Sequence, residues 1–530
     1  MINITYMKKS LFLSPLFILI LVGCNTNSIS SNNESLSSNN DEDSTSDSSS
    51  KEIPDPSFDR DVALPSSNEY KTFWNNTTSL EFTITLSQES ANFINNYQYN
   101  HDDSTYFDYY VPCTFTYTIN GETKTMEDVG IRQKGNMSRT HMLIDGNFSL
   151  DSLAHYKLSF KQTFDDEEYT TIDALKPFYK NWSADTDGRK ARKKRTLFDM
   201  EKIDIKWNRC LDETKSKQAY ALKTFRENGV LAGNDTLAMT TLQIEGKESS
   251  KVTTVYEVLE CIDDVFISRH FSIDNAKGDL YKCTYTQTGP ANFSKSYRVG
   301  NQIGVEDNVN KYHPSYDLKT NKKKSNHEAL LNFIQIINDK TSSASDFAAK
   351  LPYYLDIKGF MKYEAIAYLC GNFDDMRNNA NNYYLYFANE TGLAYIIPYD
   401  FDRCFGAGAE GRNDYMTDFS PESTKMQCNG DWQSINLYWR TVCKNTSHTK
   451  VEQVEEYRAL YQKNIEDLLN NKIVSVESFT SYVNGFSQSY GCNPNGSGND
   501  NTTFSNYLNK KIQAIKDSNS KGLINYDIKV

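Results

Sequence analysis

The stretch from Asp356 to Gly406 constrains this chain more than any other. Residues 356 to 371 set Ile357, Phe360, Met361, Tyr368 and Leu369 at helical spacing, with Asp356 placed to cap the first turn. The polar run NFDDMRNNANN follows as a loop. Two short β-like runs, 383 to 387 and 393 to 399, are then joined by Asn389, Glu390, Thr391 and Gly392, which reads as a hairpin. Asp400, Phe401 and Asp402 stand at its far end. A hairpin returns the chain to where it started, so the polar residues before it meet those after it. Asp374 or Asp375, Asn382, Asp400 and Asp402 therefore form one cluster of hard oxygen donors. Such donors, without His or Cys, suit magnesium, manganese or calcium, and magnesium in a crevice of Asp and Asn points to a nucleoside triphosphate.

The rest of the chain divides by period. Residues 80 to 86, 113 to 119 and 156 to 160 alternate apolar with polar, as half-buried strands do. Residues 326 to 338, 356 to 371 and 451 to 469 carry apolar positions three and four apart, the helical pattern. A strand-rich half followed by a helix-rich half reads as an α+β protein of two lobes with a crevice between them, 61–310 and 311–530. Helix, loop with Asp and Asn, hairpin, then Asp is also the layout of protein kinases, although neither HRD nor DFG is present.

Lys8 and Lys9 precede an apolar run from Leu11 to Val22, the pattern of an export signal and too short to span a bilayer as a helix. The run closes on Leu21, Val22, Gly23 and Cys24, which resembles a bacterial lipobox and implies a lipid on Cys24 of a lipoprotein whose signal peptide is 1–24. Residues 25–60 are rich in Ser and Asn with scattered acids, and read as a disordered stalk. The expected location is the bacterial surface, held to the membrane through lipid alone. With 57 Lys and Arg against 69 Asp and Glu, a net charge of −12, the chain lacks the cationic surplus that nucleic acid requires. Its ten cysteines include no CxxC pair and no zinc spacing with histidine.

Read in order, GIRQKGN (130 to 136), YKLSF (156 to 160), VYEVLECID (255 to 263), GDLYK (278 to 282), GNFDD (371 to 375), NNYYLY (381 to 386) and PYDFDRCFG (398 to 406) resemble the CotH family of spore-coat-type protein kinases over residues 80 to 470. The resemblance implies an atypical protein-kinase-like fold that binds ATP with Mg2+ or Mn2+ and phosphorylates Ser, or Thr, on exported proteins. It implies Asp400 and Asp402 as metal acids, Asp375 with Asp374 as its rival for the catalytic loop acid, and Asn382, or Asn378 or Asn379 in its place, as the metal-binding amide.

For the nucleotide, Lys157 faces away from Tyr156, Leu158 and Phe160 and is expected to reach a phosphate, paired with Glu260 at the end of a strand over 252 to 259. Lys282 is the second candidate lysine. Gly130, Gly135, Asn136 and Ser138 are candidates for a backbone cradle over phosphates. Two basic runs, RKARKKR at 189 to 195 and KTNKKK at 319 to 324, read as solvated loops or as a patch for an acidic acceptor. Expected acceptors are Ser-rich protein segments, the chain's own stalk at 41 to 52 among them. Two other classes stay open. One is a pseudokinase or surface-binding lipoprotein, the other a calcium-stabilised or carbohydrate-active enzyme using the same carboxylates.

Overall fold

Alternation in the first half produces a closed barrel. In the computed structural model, which describes residues 58–100, 105–308, 310–408, 420–423, 436–444, 451–499 and 501–530, β1 (Leu80–Leu86), β2 (Val111–Ile119) and β3 (Glu122–Gln133) run antiparallel in succession. After a small hairpin, β4 (Leu143–Ile144) and β5 (Asn147–Phe148), the barrel continues through β6 (Tyr156–Ser159) and β7 (Lys202–Trp207). It ends with β8 (Asp235–Ile244) and β9 (Lys247–Glu260) in the order β1-β2-β3-β6-β7-β9-β8, closed by parallel pairing of β1 with β8. Phe82, Ile84, Phe115, Ile131, Tyr156, Leu158, Ile203, Ile205, Tyr256 and Val258 fill one core.

Because side chains alternate across a strand, the same registers that turn these residues inward turn Lys157, Asp204 and Lys206 to the outer face. Lys157 lies directly opposite Asp204, and Lys206 opposite Glu257. A slip of one residue would exchange Ile203 and Ile205, both fully buried, for these charges, so the register is firmly set.

A second sheet follows, in the order β11-β12-β10-β13-β14. It comprises β10 (Asp279–Cys283), β11 (Ile303–Gly304), β12 (Tyr316–Leu318), β13 (Tyr383–Phe387) and β14 (Ala394–Pro398). β13 and β14 are the hairpin expected from the sequence. The sheet draws strands from both sides of residue 310, so it spans the boundary expected there. On one face Tyr281, Tyr316, Tyr383, Leu385 and Phe387 join the large core built with the helices Lys217–Glu227, Ile357–Cys370 and Glu455–Asn470. On the other face Leu280, Tyr384, Tyr386 and Ile397 pack with Tyr399 and the helix Asp264–His270.

Asp356 caps the helix Ile357–Cys370 through the Gly359 N–H at 3.0 Å. The helix stops at Gly371, whose φ of +60° suits glycine. Residues ahead of the boundary expected at 61 are already tied to the fold. The Asp59 N–H bonds the His270 carbonyl at 2.7 Å, and Ala63 and Leu64 bond Phe271 and Ser268. Among the described residues eight cysteines are free, whereas Cys24, the signal region and residues 25–57 of the expected stalk lie outside them.

Candidate active site

Both ends of the β13–β14 hairpin present polar side chains from unusual backbone. Asn382, just before it, has φ +52°, and Asp400, just after it, has φ +59°. Left-handed conformations cost energy for residues other than glycine, and here they turn both side chains at the same end of the hairpin. Buried Asn372 ties the two ends together. Its amide donates to the Asp400 carbonyl at 3.2 Å, and its own side-chain oxygen accepts from the Asp374 N–H at 3.1 Å.

The two loop acids part company. Asp375 is fully buried and caps the short helix Met376–Asn379, accepting from the Asn378 N–H at 2.9 Å and its side-chain amide at 3.0 Å. Burial pushes its pKa up to about 7. Asp374 instead turns toward the hairpin, where its carboxylate accepts from Asn379, from Asn381 at 3.0 Å and from Asn382 at 2.9 Å. Burial raises its pKa, the amides offset part of that, and repulsion from Asp400 and Asp402 adds to it. Of the two candidate loop acids it is therefore Asp374, and not the first-ranked Asp375, that faces Asp400 and Asp402, while Asp375 holds the turn. Asn382 sits at the site with its amide nitrogen committed to Asp374, which leaves Oδ1 for a cation. Asn378 is committed to Asp375 and to the Asn372 carbonyl.

Lys206, unmarked by the sequence reading, is the cation at the centre. It is 2% exposed, and its ammonium bonds Asp400, Asp402 at 3.0 Å and the Gln218 side-chain oxygen at 3.2 Å. Burial alone would raise the Asp400 pKa, but Lys206 and then Lys134 draw it well below the usual carboxylate range. Among the described residues two carboxylates thus share one ammonium, and Asp374 adds a third negative group whose repulsion they feel. All donors are oxygen and the charge is in deficit, a set that fits a magnesium or manganese ion.

Along the outer barrel face, Lys134 and Lys157 converge on buried Asp204 at 2.9 and 3.0 Å. Lys134 also donates to the Tyr399 hydroxyl at 2.9 Å. From the second sheet Lys282 reaches the same tyrosine, 5.6 Å from its ring centroid, where burial and then Lys319 lower its pKa to about 8. No carboxylate pairs Lys282 among the described residues. The two lysines expected at the nucleotide, Lys157 and Lys282, are thus brought together, with Lys134 added.

Glu260 is not beside Lys157. Its carboxylate accepts from Tyr70 at 2.6 Å and from the Asn234 amide at 2.7 Å, so the expected Lys157–Glu260 ion pair is replaced by Lys157–Asp204. Gly130 lies within β3, where an added Cβ would meet Gln162 at 2.9 Å; it serves strand packing and not a loop cradle. Gly135 does occupy the loop after β3, at φ +86° with Ser138 Oγ 2.0 Å from an added Cβ, and Asn136 beside it is exposed.

In the basic run at 189 to 195, Arg189 pairs with Asp165, Arg192 with Asp128, and Arg195 bonds the carbonyls of Phe160, Glu127 and Asp128. Those arginines hold the barrel's edge.

A protein-family model described as CotH kinase protein matches residues 131–517. The crystal structure of the Helicobacter pylori proinflammatory kinase CtkA is similar over 59% of this chain and 91% of that chain, at 10% identity and a TM-score of 0.25, too low to support any argument about fold. No curated protein matches the chain.

Proposed function

The chain belongs to the CotH kinase family, and from that premise we propose that it is an ATP- and divalent-metal-dependent protein kinase of atypical kinase-like, two-lobed fold, acting on Ser or Thr of exported proteins. The observation that carries the reading is the meeting of Lys206 with Asp400 and Asp402, while Asp374 and Asn382 face the same acids from the other end of the hairpin. Asp400, Asp402 and Asn382 would hold the metal. A divalent ion held there would supply positive charge to offset the charge that develops on the phosphates.

The chain's own residues supply the rest. Lys134, Lys157 and Lys282 form the cationic wall for the phosphates, and Lys206 adds a donor next to the acids. Asp374, oriented by asparagine amides, accepts a hydrogen bond from the acceptor hydroxyl. As the hydroxyl oxygen bonds to the γ-phosphorus, the bond from that phosphorus to ADP breaks, and the hydroxyl proton passes to Asp374. Lys8 to Cys24 support export and lipid anchoring at the bacterial surface, and no helix among the described residues is long and apolar enough to cross a membrane. The acceptors we propose are Ser-rich protein segments, residues 41 to 52 of the chain included.

The test is incubation of the full chain and its Asp400→Asn variant with γ-labelled ATP, magnesium or manganese, and a Ser-rich acceptor. Metal-dependent label on acceptor serine, lost in the variant, is the expected result. Label that persists in the variant overturns the site.

A further inference from the structure

Lys206 is held from two sides, and its second contact is to a neutral group where protein kinases employ a glutamate. Gln218 stands in the first turn of the helix Lys217–Glu227 and is 2% exposed. Its side-chain oxygen accepts from Lys206 at 3.2 Å, while its side-chain nitrogen donates to Asp235 at 3.1 Å and to Glu257 at 3.0 Å. The amide has one sensible orientation, since turning it over would set N–H groups against an ammonium. Asp235 is 1% exposed on β8, and Glu257 lies on the neighbouring β9. Two carboxyl groups thus stand behind a neutral amide; burial raises the pKa of both, and Asp235 raises that of Glu257 further, so what the amide passes to the lysine is the polarity of a hydrogen-bonded chain and not two full charges.

We propose that Gln218 is a positioning residue that sets how the Lys206 ammonium divides between the Gln218–Asp235–Glu257 group and the Asp400–Asp402 pair, and so how strongly it competes with a divalent cation for those two acids. A direct carboxylate at 218 would draw the ammonium away from Asp400 and Asp402. An apolar side chain there would leave the ammonium wholly to them. This rests on the metal-site reading given above.

The measurement is manganese binding to the full chain without nucleotide, read from the free Mn2+ signal in electron paramagnetic resonance. Three chains are compared: the parent, Gln218→Leu, and the double variant Gln218→Glu with Glu257→Gln, which exchanges the amide and the carboxyl between the two positions and keeps the formal net charge. Gln218→Leu should weaken manganese binding about tenfold, and the isosteric double variant should tighten it about threefold. Dissociation constants within twofold of the parent overturn the proposal. So do shifts of the same sign in both variants, because lost packing alone acts in one direction. A parent chain that binds no manganese overturns the metal-site reading itself, whereas binding that ignores position 218 overturns only the role of Gln218.

Discussion

Replacing Lys206 by Met tests the central ion cluster most directly. The change keeps the length of the side chain and removes the only cation that contacts Asp400 and Asp402 among the described residues. Removing one partner of a buried ion pair costs about 3–5 kcal/mol. The Asp400 and Asp402 side chains keep 32% and 27% of their exposure, so water screens part of that, and about 2–3 kcal/mol remains. At roughly 2 °C per kcal/mol for a chain of this size, the metal-free variant should melt about 4–6 °C below the parent. Manganese should then close the gap. A ligand at a hundredfold its dissociation constant returns about 2.7 kcal/mol, and the variant gains more than the parent because no ammonium competes for the acids. Phosphate transfer should fall at least about a hundredfold, through loss of a charged donor to the phosphates. Thermal melts of both chains with and without manganese decide the matter. Equal melting temperatures in metal-free buffer, or equal manganese shifts, would show that Lys206 is not the counterion of this pair.

Three further outcomes follow from the same geometry. Asp374→Asn should lower transfer by about two to four orders of magnitude with the fold retained, whereas Asp375→Asn should change it only a few-fold; initial rates on one acceptor separate them. Asp375, with a folded pKa of about 7, keeps its proton between pH 4 and 7 where the unfolded chain has released it, so stability falls as pH rises through that window, by up to about 4 kcal/mol. Between pH 5 and pH 8 urea unfolding should show about 2–3 kcal/mol of this loss in the parent and none in Asp375→Asn, and an equal loss in both would rule out Asp375 as its source. Lys282, lowered to about 8, is cationic below that pH and neutral above it. Nucleotide affinity should therefore drop several-fold between pH 7 and 9 in the parent and stay flat in Lys282→Met; a matching drop in the variant would assign the titration elsewhere.

Much of the site is legible in the primary structure. The hairpin, its two acids, Asn382 and the outward face of Lys157 all follow from short-range pattern. What escapes is long-range or stereochemical. Residues 202 to 207 alternate as clearly as 156 to 160, yet nothing local says that Lys206 will meet an aspartate 194 residues away. The choice between Asp374 and Asp375 turns on a cap. Asp375 stands three residues before Asn378, the spacing of an N-cap, and that signal was available. Glu260 ends a strand as expected, but its partner arrives from Tyr70, in a helix that precedes the barrel. The strands that extend the hairpin into a second sheet are hidden for a similar reason: β11 and β12 are two and three residues long, too short for alternation to register.

The segment from Asp59 to Tyr70 also bears on how the protein is handled and loaded. It comes straight after the Ser-rich stretch and fastens to the helix Asp264–His270 by backbone bonds, while Tyr70 reaches Glu260 and lies 3.8 Å beneath the Arg269 guanidinium. This piece works as a strap over the connection between barrel and second sheet. A recombinant domain begun at the first barrel strand would lose it, leaving the Glu260 carboxylate and the Arg269 guanidinium facing each other 4.0 Å apart without the tyrosine that bridges them. Any tension carried along the preceding residues would likewise arrive first at this strap, well before it reached Asp400.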